Sequence, residues 1–190
     1  MKRSSFLKFC LMVGSLTTST FSLYGKIKDR VRKGILVTHG KDRFEKPFSL
    51  FEGDKFYCKV SSKDTDGDLY IFESTRFKEG GPPLHYHYNQ DEWWYILSGE
   101  FLIKVGEETY NAKAGDCVFG PRGVPHTFAK VGNGEAKLIM LFQPAGKMEA
   151  WFEKVNDGTI AKMTEEQKHE ARKEHGFEHM GPPLTLLKSS

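Results

Sequence analysis

The most constraining feature of the sequence is a series of short strand-like runs between residues 55 and 145, separated by glycine-rich turns. The runs are rich in aromatic and β-branched residues, which are typical of β-strands. Phe101, Ile103 and Val105 alternate with other side chains, and residues 132–134, Gly-Asn-Gly, indicate a hairpin. Short strands at near-regular spacing predict an all-β sandwich or barrel.

The first 25 residues have a different pattern. Lys2, Arg3 and Lys8 precede a short apolar stretch, and small residues follow it. We therefore predict a signal peptide over residues 1–25 and an exported protein that is periplasmic or extracellular. The apolar stretch is too short and too rich in Ser and Thr for a stable membrane span.

The rest of the chain divides into three predicted segments. Residues 26–54 are charged and weakly patterned, and we expect an N-terminal arm with an edge strand over residues 34–38. Residues 55–145 form the single predicted β-barrel domain. In residues 146–190 the apolar spacing becomes helical, which predicts short C-terminal helices. The second of these helices is expected from Thr164 to His175, with a capping box at its start.

The charge pattern bears on the partners of the protein. The formal net charge is +3, and basic and acidic residues are interspersed without a basic stripe. A nucleic-acid partner is therefore not expected. The chain also shows no helix-turn-helix pattern, so we do not expect a transcription factor.

Four residues are predicted to bind a metal ion: His85, His87, Glu92 and His126. Side chains two apart in a strand point to the same face, so His85 and His87 face one volume. A turn can bring Glu92 back beside them, and His126, which lies 39 residues after His87, can return on a later strand. Asp91 is the rival to Glu92 for the carboxylate position.

This ligand set limits the choice of metal. Three imidazoles and one carboxylate suit Fe, Mn, Ni, Co, Cu or Zn much better than Ca or Mg. The sequence does not select among these six divalent ions, and we expect one ion per chain. Four protein ligands would leave coordination positions for water, dioxygen or a substrate.

The spacing of these residues resembles the two conserved motifs of the cupin superfamily. His85, His87, Glu92 and Gly99 fit the first motif, and Glu92 leaves the expected six residues before Gly99. Asp91 would suit the shorter spacing that the motif also allows. The second motif is matched by four residues at every spacing: Gly115, Pro121, Gly123 and His126.

The resemblance is closer to single-domain cupins of the quercetin 2,3-dioxygenase-like branch. The similar stretches are residues 81–87, 91–100 and 120–126, with an ending at residues 181–184. The resemblance implies a jelly-roll β-barrel with its site inside. It also implies a catalytic role for Glu92, as the general base that deprotonates a substrate hydroxyl.

Other side chains are assigned from strand parity and position. Trp94, Ile96 and Phe128 are predicted to line the substrate pocket, with ordinary core packing as the alternative. Trp93 and Tyr95 would face the other side, under the arm or against a partner subunit. They would suit the homodimer that the resemblance implies.

The remaining candidate groups have weaker patterns around them. Arg122 near the barrel mouth is expected to meet either an anionic substrate or solvent. The helix that begins near Met148 is expected to cover one barrel end or to pack simply against the core. Four further histidines lack supporting spacing and are expected at the surface: His39, His169, His175 and His179.

The resemblance implies a metal-dependent dioxygenase that acts on a small hydroxylated aromatic, flavonol-like or catechol-like. Two alternatives stay open at this point. One is a non-oxidative metal enzyme, such as an isomerase, lyase or decarboxylase. The other is a non-catalytic protein that binds a small ligand. Fold alone does not decide among these functions.

Overall fold

The structure is a computed structural model that describes residues 30–50 and 54–184. The signal-peptide prediction for residues 1–25 lies outside the described residues. Among the described residues, no helix has the length and apolar character needed to cross a membrane.

The described chain forms eleven strands and two α-helices. The strands that come before the helices are β1 (Phe48–Leu50), β2 (Asp54–Val60), β3 (Tyr70–Arg76), β4 (Pro83–His87), β5 (Asp91–Ser98), β6 (Glu100–Val105), β7 (Glu108–Lys113), β8 (Cys117–Gly120), β9 (His126–Val131) and β10 (Ala136–Gln143). The tail contains α1 (Met148–Asn156), α2 (Glu165–Glu174) and β11 (Phe177–Pro183). Short 3-10 helices lie at Ser62–Thr65 and Ile160–Lys162.

The strands form two antiparallel sheets that pack face to face. One sheet has six strands in the order β1-β2-β3-β10-β5-β8, and the other has five in the order β11-β4-β9-β6-β7. Neighbours in each sheet are often far apart in sequence, as β10 and β3 are, which is typical of a jelly roll. The predicted all-β jelly-roll fold with short C-terminal helices is confirmed.

Alternation along β5 shows how the sequence builds the core between the sheets. Trp94 and Ile96 point inward and are fully buried, whereas Trp93 and Tyr95 point outward and stack on each other at 5.8 Å. Burying a large apolar side chain contributes roughly 1.5–3 kcal/mol. The inward residues of both sheets therefore supply most of the driving force for folding.

The arm differs from the prediction. Residues 34–38 form no strand, and Leu36 is 88% exposed. The segment contacts the barrel through Lys59, whose Nζ donates to the backbone oxygens of Thr38 and Lys41. These side-chain hydrogen bonds hold the segment against the barrel, where backbone pairing of an edge strand was expected. The first strand of the described residues begins at Phe48.

The tail is partly as predicted. Thr164 caps α2 and forms the expected capping box with Gln167, and the helix ends at Glu174. The tail is not helical throughout, however, because β11 follows and pairs with β4. Pro182 and Pro183 are tolerated there because β11 is an edge strand, where a missing backbone N–H does not interrupt a ladder.

Candidate metal centre and its cavity

The four predicted ligands converge between the two sheets. His85 and His87 lie on β4, and His126 begins β9, where it is the cross-strand partner of His85. Glu92 lies on β5 of the opposite sheet. All four residues are buried, and one ligand atom from each lies within 4.8 Å of the others. The predicted convergence is therefore present in the structure.

One carboxylate oxygen lies at the centre of the cluster. Glu92 Oε2 is 3.1 Å from His87 Nε2, 3.1 Å from His126 Nε2 and 3.8 Å from His85 Nε2. Each histidine thus presents the same ring nitrogen to the same point. Such an arrangement suits the coordination of a single ion.

The outer ring nitrogens show that the inner ones carry lone pairs. His85 Nδ1 donates to the backbone oxygen of Pro83 at 2.8 Å, and His126 Nδ1 donates to that of Val124 at 3.0 Å. A carbonyl oxygen only accepts, so Nδ1 carries the proton and Nε2 of a neutral ring does not. In the neutral ring the Nε2 lone pair of His126 would face a carboxylate lone pair at 3.1 Å. A cation between them would remove this repulsion, so the cluster fits a metal ion.

Burial sets the protonation of the cluster. Desolvation lowers the pKa of His87 to about 4, although Glu92 opposes the shift. For Glu92, burial alone would raise the pKa, but the contacts with His126, His85 and His87 outweigh it and hold that pKa well below its usual value. A neutral His87 and an ionised Glu92 are in the protonation states that metal ligands need.

The structure decides between Glu92 and Asp91. Asp91 lies on the outside of β5 and forms a bidentate pair with Arg122, whose Nε and Nη2 donate at 3.0 and 2.7 Å. This pairing lowers the pKa of Asp91. Asp91 is therefore not part of the cluster. Arg122 forms its ion pair with Asp91 and does not line the cavity.

A cavity of about 350 Å³ opens onto the cluster. His85, His87 and Glu92 lie at one end of it. Most of the other lining side chains are apolar and come from both sheets and from the tail: Phe56, Phe72, Phe128, Met140, Phe142, Met148, Trp151, Phe152, Val155, Ile160 and Phe177. A site of this kind suits a small ligand that is mostly apolar.

The structure places the three residues that strand parity assigned to the substrate pocket in two environments. Phe128 lines the cavity, but Trp94 and Ile96 do not. Both point inward as expected, yet both are fully buried in packed core. Trp94 fills the space beside Gly120 and contacts the His126 ring edge-on at 5.3 Å. Strand parity predicts which face of the sheet a side chain occupies. The position of the residue along the barrel determines whether that side chain lines the cavity or packs in the core.

The tail supplies lining residues that the sequence pattern did not assign. Trp151 and Phe152 of α1 cover the cavity, as one of the two interpretations of this helix expected. Arg172 of α2 and His179 of β11 also line it. His179 is the cross-strand partner of His85. Its position at the cavity could have been predicted only if the pairing of the tail with β4 had been recognised.

One of the four histidines expected at the surface is buried. His179 is exposed, as expected, and it also lines the cavity with its ring 6.5 Å from that of His85. His175 is buried and donates from Nδ1 to the backbone oxygen of Ala171 at 2.6 Å. It ends α2 and packs edge-on against Trp151 at 5.5 Å. Its contacts within the described residues indicate a structural role.

The fold and the cluster together define a class: a jelly-roll barrel with a buried site made of three histidines and one glutamate. Residues 73–142 match the family model described as "Cupin domain". This match spans the residues of both motifs that resemble the cupin superfamily.

Among curated proteins, an uncharacterised protein of Methanocaldococcus jannaschii is 34% identical over 61 residues, covering 32% of this chain and 49% of that protein. Oxalate decarboxylase OxdC of Bacillus subtilis is 26% identical over 140 residues, covering 64% of this chain and 34% of the enzyme. The chain thus spans half or less of the length of these relatives.

Among solved structures, an RmlC-like cupin from Shewanella frigidimarina is 22% identical with a TM-score of 0.48. The match covers 59% of this chain and 96% of that one. KdgF from Halomonas sp. is 18% identical with a TM-score of 0.48, covering 56% and 94% of the two chains.

Proposed function

We propose that this protein is a metal-dependent cupin dioxygenase that acts on a small hydroxylated aromatic molecule. His85, His87, Glu92 and His126 would hold one divalent ion of Fe, Mn, Ni, Co, Cu or Zn. The observation that carries the proposal is the buried cluster of these four residues, whose ligand atoms lie within 4.8 Å of one another beside a mostly apolar cavity.

The residues around the cluster have separate roles in this proposal. Phe128, Phe142 and Trp151 hold an aromatic ring and exclude water from the cluster. Glu92 accepts the proton of the substrate hydroxyl, for which its ionised state prepares it. When bound, a transition ion supplies Lewis acidity toward the deprotonated oxygen and access to oxygen chemistry.

An aerobic assay tests the reaction class. The protein is loaded separately with each of the six metals and mixed with a flavonol or a catechol, and both oxygen uptake and loss of near-ultraviolet absorption are followed. The proposal predicts turnover that needs oxygen and is abolished by Glu92→Gln. An exposed control, Glu153→Gln, should leave the rate unchanged. Absence of turnover with every metal would contradict a dioxygenase of this class.

A non-oxidative metal enzyme is the second candidate. It is favoured by the similarity to oxalate decarboxylase, which covers 64% of this chain. The cavity favours an acid larger than oxalate, because most of its lining side chains are apolar and a small dianion would leave them without contact. Turnover of a larger acid under anaerobic conditions, with release of carbon dioxide, would support this candidate over the dioxygenase.

A binding protein without turnover is the remaining alternative. A small organic molecule that co-purifies with the protein and is unchanged on release would favour it. Export of the protein and its assembly into a homodimer stay predictions. The outward stack of Trp93 and Tyr95 supports the second of these, since exposed aromatic residues are enriched at interfaces.

A further inference from the structure

The tail supplies a second set of polar side chains that line the cavity. They are Glu165, Lys168 and Arg172 of α2, together with His179 of β11. Lys168 is already paired, because its Nζ lies 2.7 Å from the Glu165 carboxylate. These side chains contribute two cationic groups and one carboxylate, so the set as a whole is positive.

Arg172 differs from the other arginines that line or approach the cavity. Arg76 pairs with Asp54 and Arg122 pairs with Asp91, but the Arg172 side chain has neither an ion pair nor a hydrogen bond within the described part of the chain. Its Nε is buried and has no acceptor. A buried N–H without a partner is unfavourable, and an anionic ligand would remove that cost while forming a charge-assisted pair.

The position of Arg172 relative to the cluster follows from β11. The His179 ring lies 6.5 Å from the His85 ring, on the cavity side of the paired strands β4 and β11. Arg172 and His179 both line the cavity that opens onto the cluster. The cationic side chains of α2 and the histidine cluster therefore border the same space.

We infer that the cavity selects aromatic substrates that carry a carboxylate at the end remote from the metal, and that Arg172 binds this carboxylate. The inference rests on the proposed function and deepens it by naming the substrate class. The hydroxyl end of such a molecule faces Glu92, the ring lies between the apolar walls, and the carboxylate accepts hydrogen bonds from the guanidinium group.

Binding of a matched pair of probes tests the inference. The probes are p-hydroxyphenylacetate and its neutral amide, p-hydroxyphenylacetamide, measured by calorimetry against the full chain loaded with redox-inert Zn²⁺. The wild-type protein should bind the acid about tenfold more tightly than the amide, as one charge-assisted hydrogen bond provides. Arg172→Met should abolish this preference and leave the affinity for the amide unchanged.

Two further variants separate a local role from a general effect of charge. Lys173→Met removes one positive charge from the exposed side of the same helix and should keep the preference. Arg172→Lys should restore part of it. An acid preference that survives Arg172→Met would overturn the inference, and so would failure of the acid to bind wild-type protein at millimolar concentration.

Repeating the titrations on chelator-treated protein distinguishes this inference from the proposed function. A preference due to Arg172 persists without metal. A preference that disappears with the metal would place the carboxylate at the histidine cluster and contradict the inference, while leaving the metal centre intact. Conversely, a protein that keeps the preference but turns over no substrate when loaded with any of the six metals would contradict the proposed reaction alone.

Discussion

The ring nitrogens of His85 and His126 show what single residues contribute to the site. In each case Nδ1 donates to a backbone oxygen two residues earlier, at Pro83 or Val124, which fixes the ring and directs Nε2 inward. The sequence predicted which residues converge, because strand parity and the spacing between the motif residues are visible in the sequence itself. It did not predict the tautomer, which depends on local backbone carbonyls.

The low pKa of His87 predicts an acid-sensitive metal-free protein. This pKa is about 4 in the folded chain and about 6.5 in an unfolded one. Between those pH values the unfolded chain binds a proton that the folded chain does not, so the free energy of unfolding falls as the pH falls. The loss from His87 is on the order of 3 kcal/mol and is complete below about pH 4.

Denaturant titrations of metal-free protein at pH 7, 5 and 4 measure this loss. His87→Gln should lose less stability over the same range, whereas His169→Gln, at a partly exposed histidine, should behave like wild type. Equal acid sensitivity of His87→Gln and wild type would contradict the assignment.

At the scale of elements, the segment that precedes β4 packs closely against β9. This contact holds together two strands that carry predicted metal ligands. A Cβ at Gly81 would lie 1.7 Å from the backbone oxygen of Phe128, so any side chain there must displace backbone. We expect Gly81→Ala to destabilise the protein by about 2 kcal/mol or more. Gly34→Ala, with no atom within 4 Å, is the neutral control. Chemical denaturation compares them, and equal stabilities would contradict the packing described.

The helix that covers the cavity is fixed by one buried carboxylate. Glu149 of α1 accepts from Ser61 Oγ at 2.8 Å and from the Ser62 backbone N–H at 2.9 Å. Glu149→Ala should cost about 1–3 kcal/mol, because buried donors lose their acceptor. Hydrogen exchange of the α1 amides should become faster than in the control Glu153→Ala, at an exposed position of the same helix. Unchanged protection of α1 would mean that Glu149 does not anchor it.

The elements also show where sequence patterns succeed and fail. The capping box of α2 and the alternation in β5 are local, and both were predicted correctly. The strand β11 was not predicted, because Gly181 and two prolines look like breakers until the edge position is known. With β11 missing, His179 and the side of α2 that carries Arg172 could not be placed at the cavity.

At the scale of the whole molecule, the site depends on contacts between distant segments. Glu92 comes from one sheet and the three histidines from the other, and the tail closes the cavity above them. The ligand set could be predicted because its spacing forms recognisable motifs. The shape of the cavity could not, because it depends on how β11 and the helices pack on the barrel.

The metal content of the purified full-length protein tests the proposed centre most directly. Elemental analysis should find about one divalent transition ion per chain in the wild type and a loss of tight binding in His85→Ala and His126→Ala. His169→Ala, which changes a histidine outside the cluster, should keep its metal. If His85→Ala and His126→Ala bind metal as tightly as wild type, these four residues do not form a metal centre.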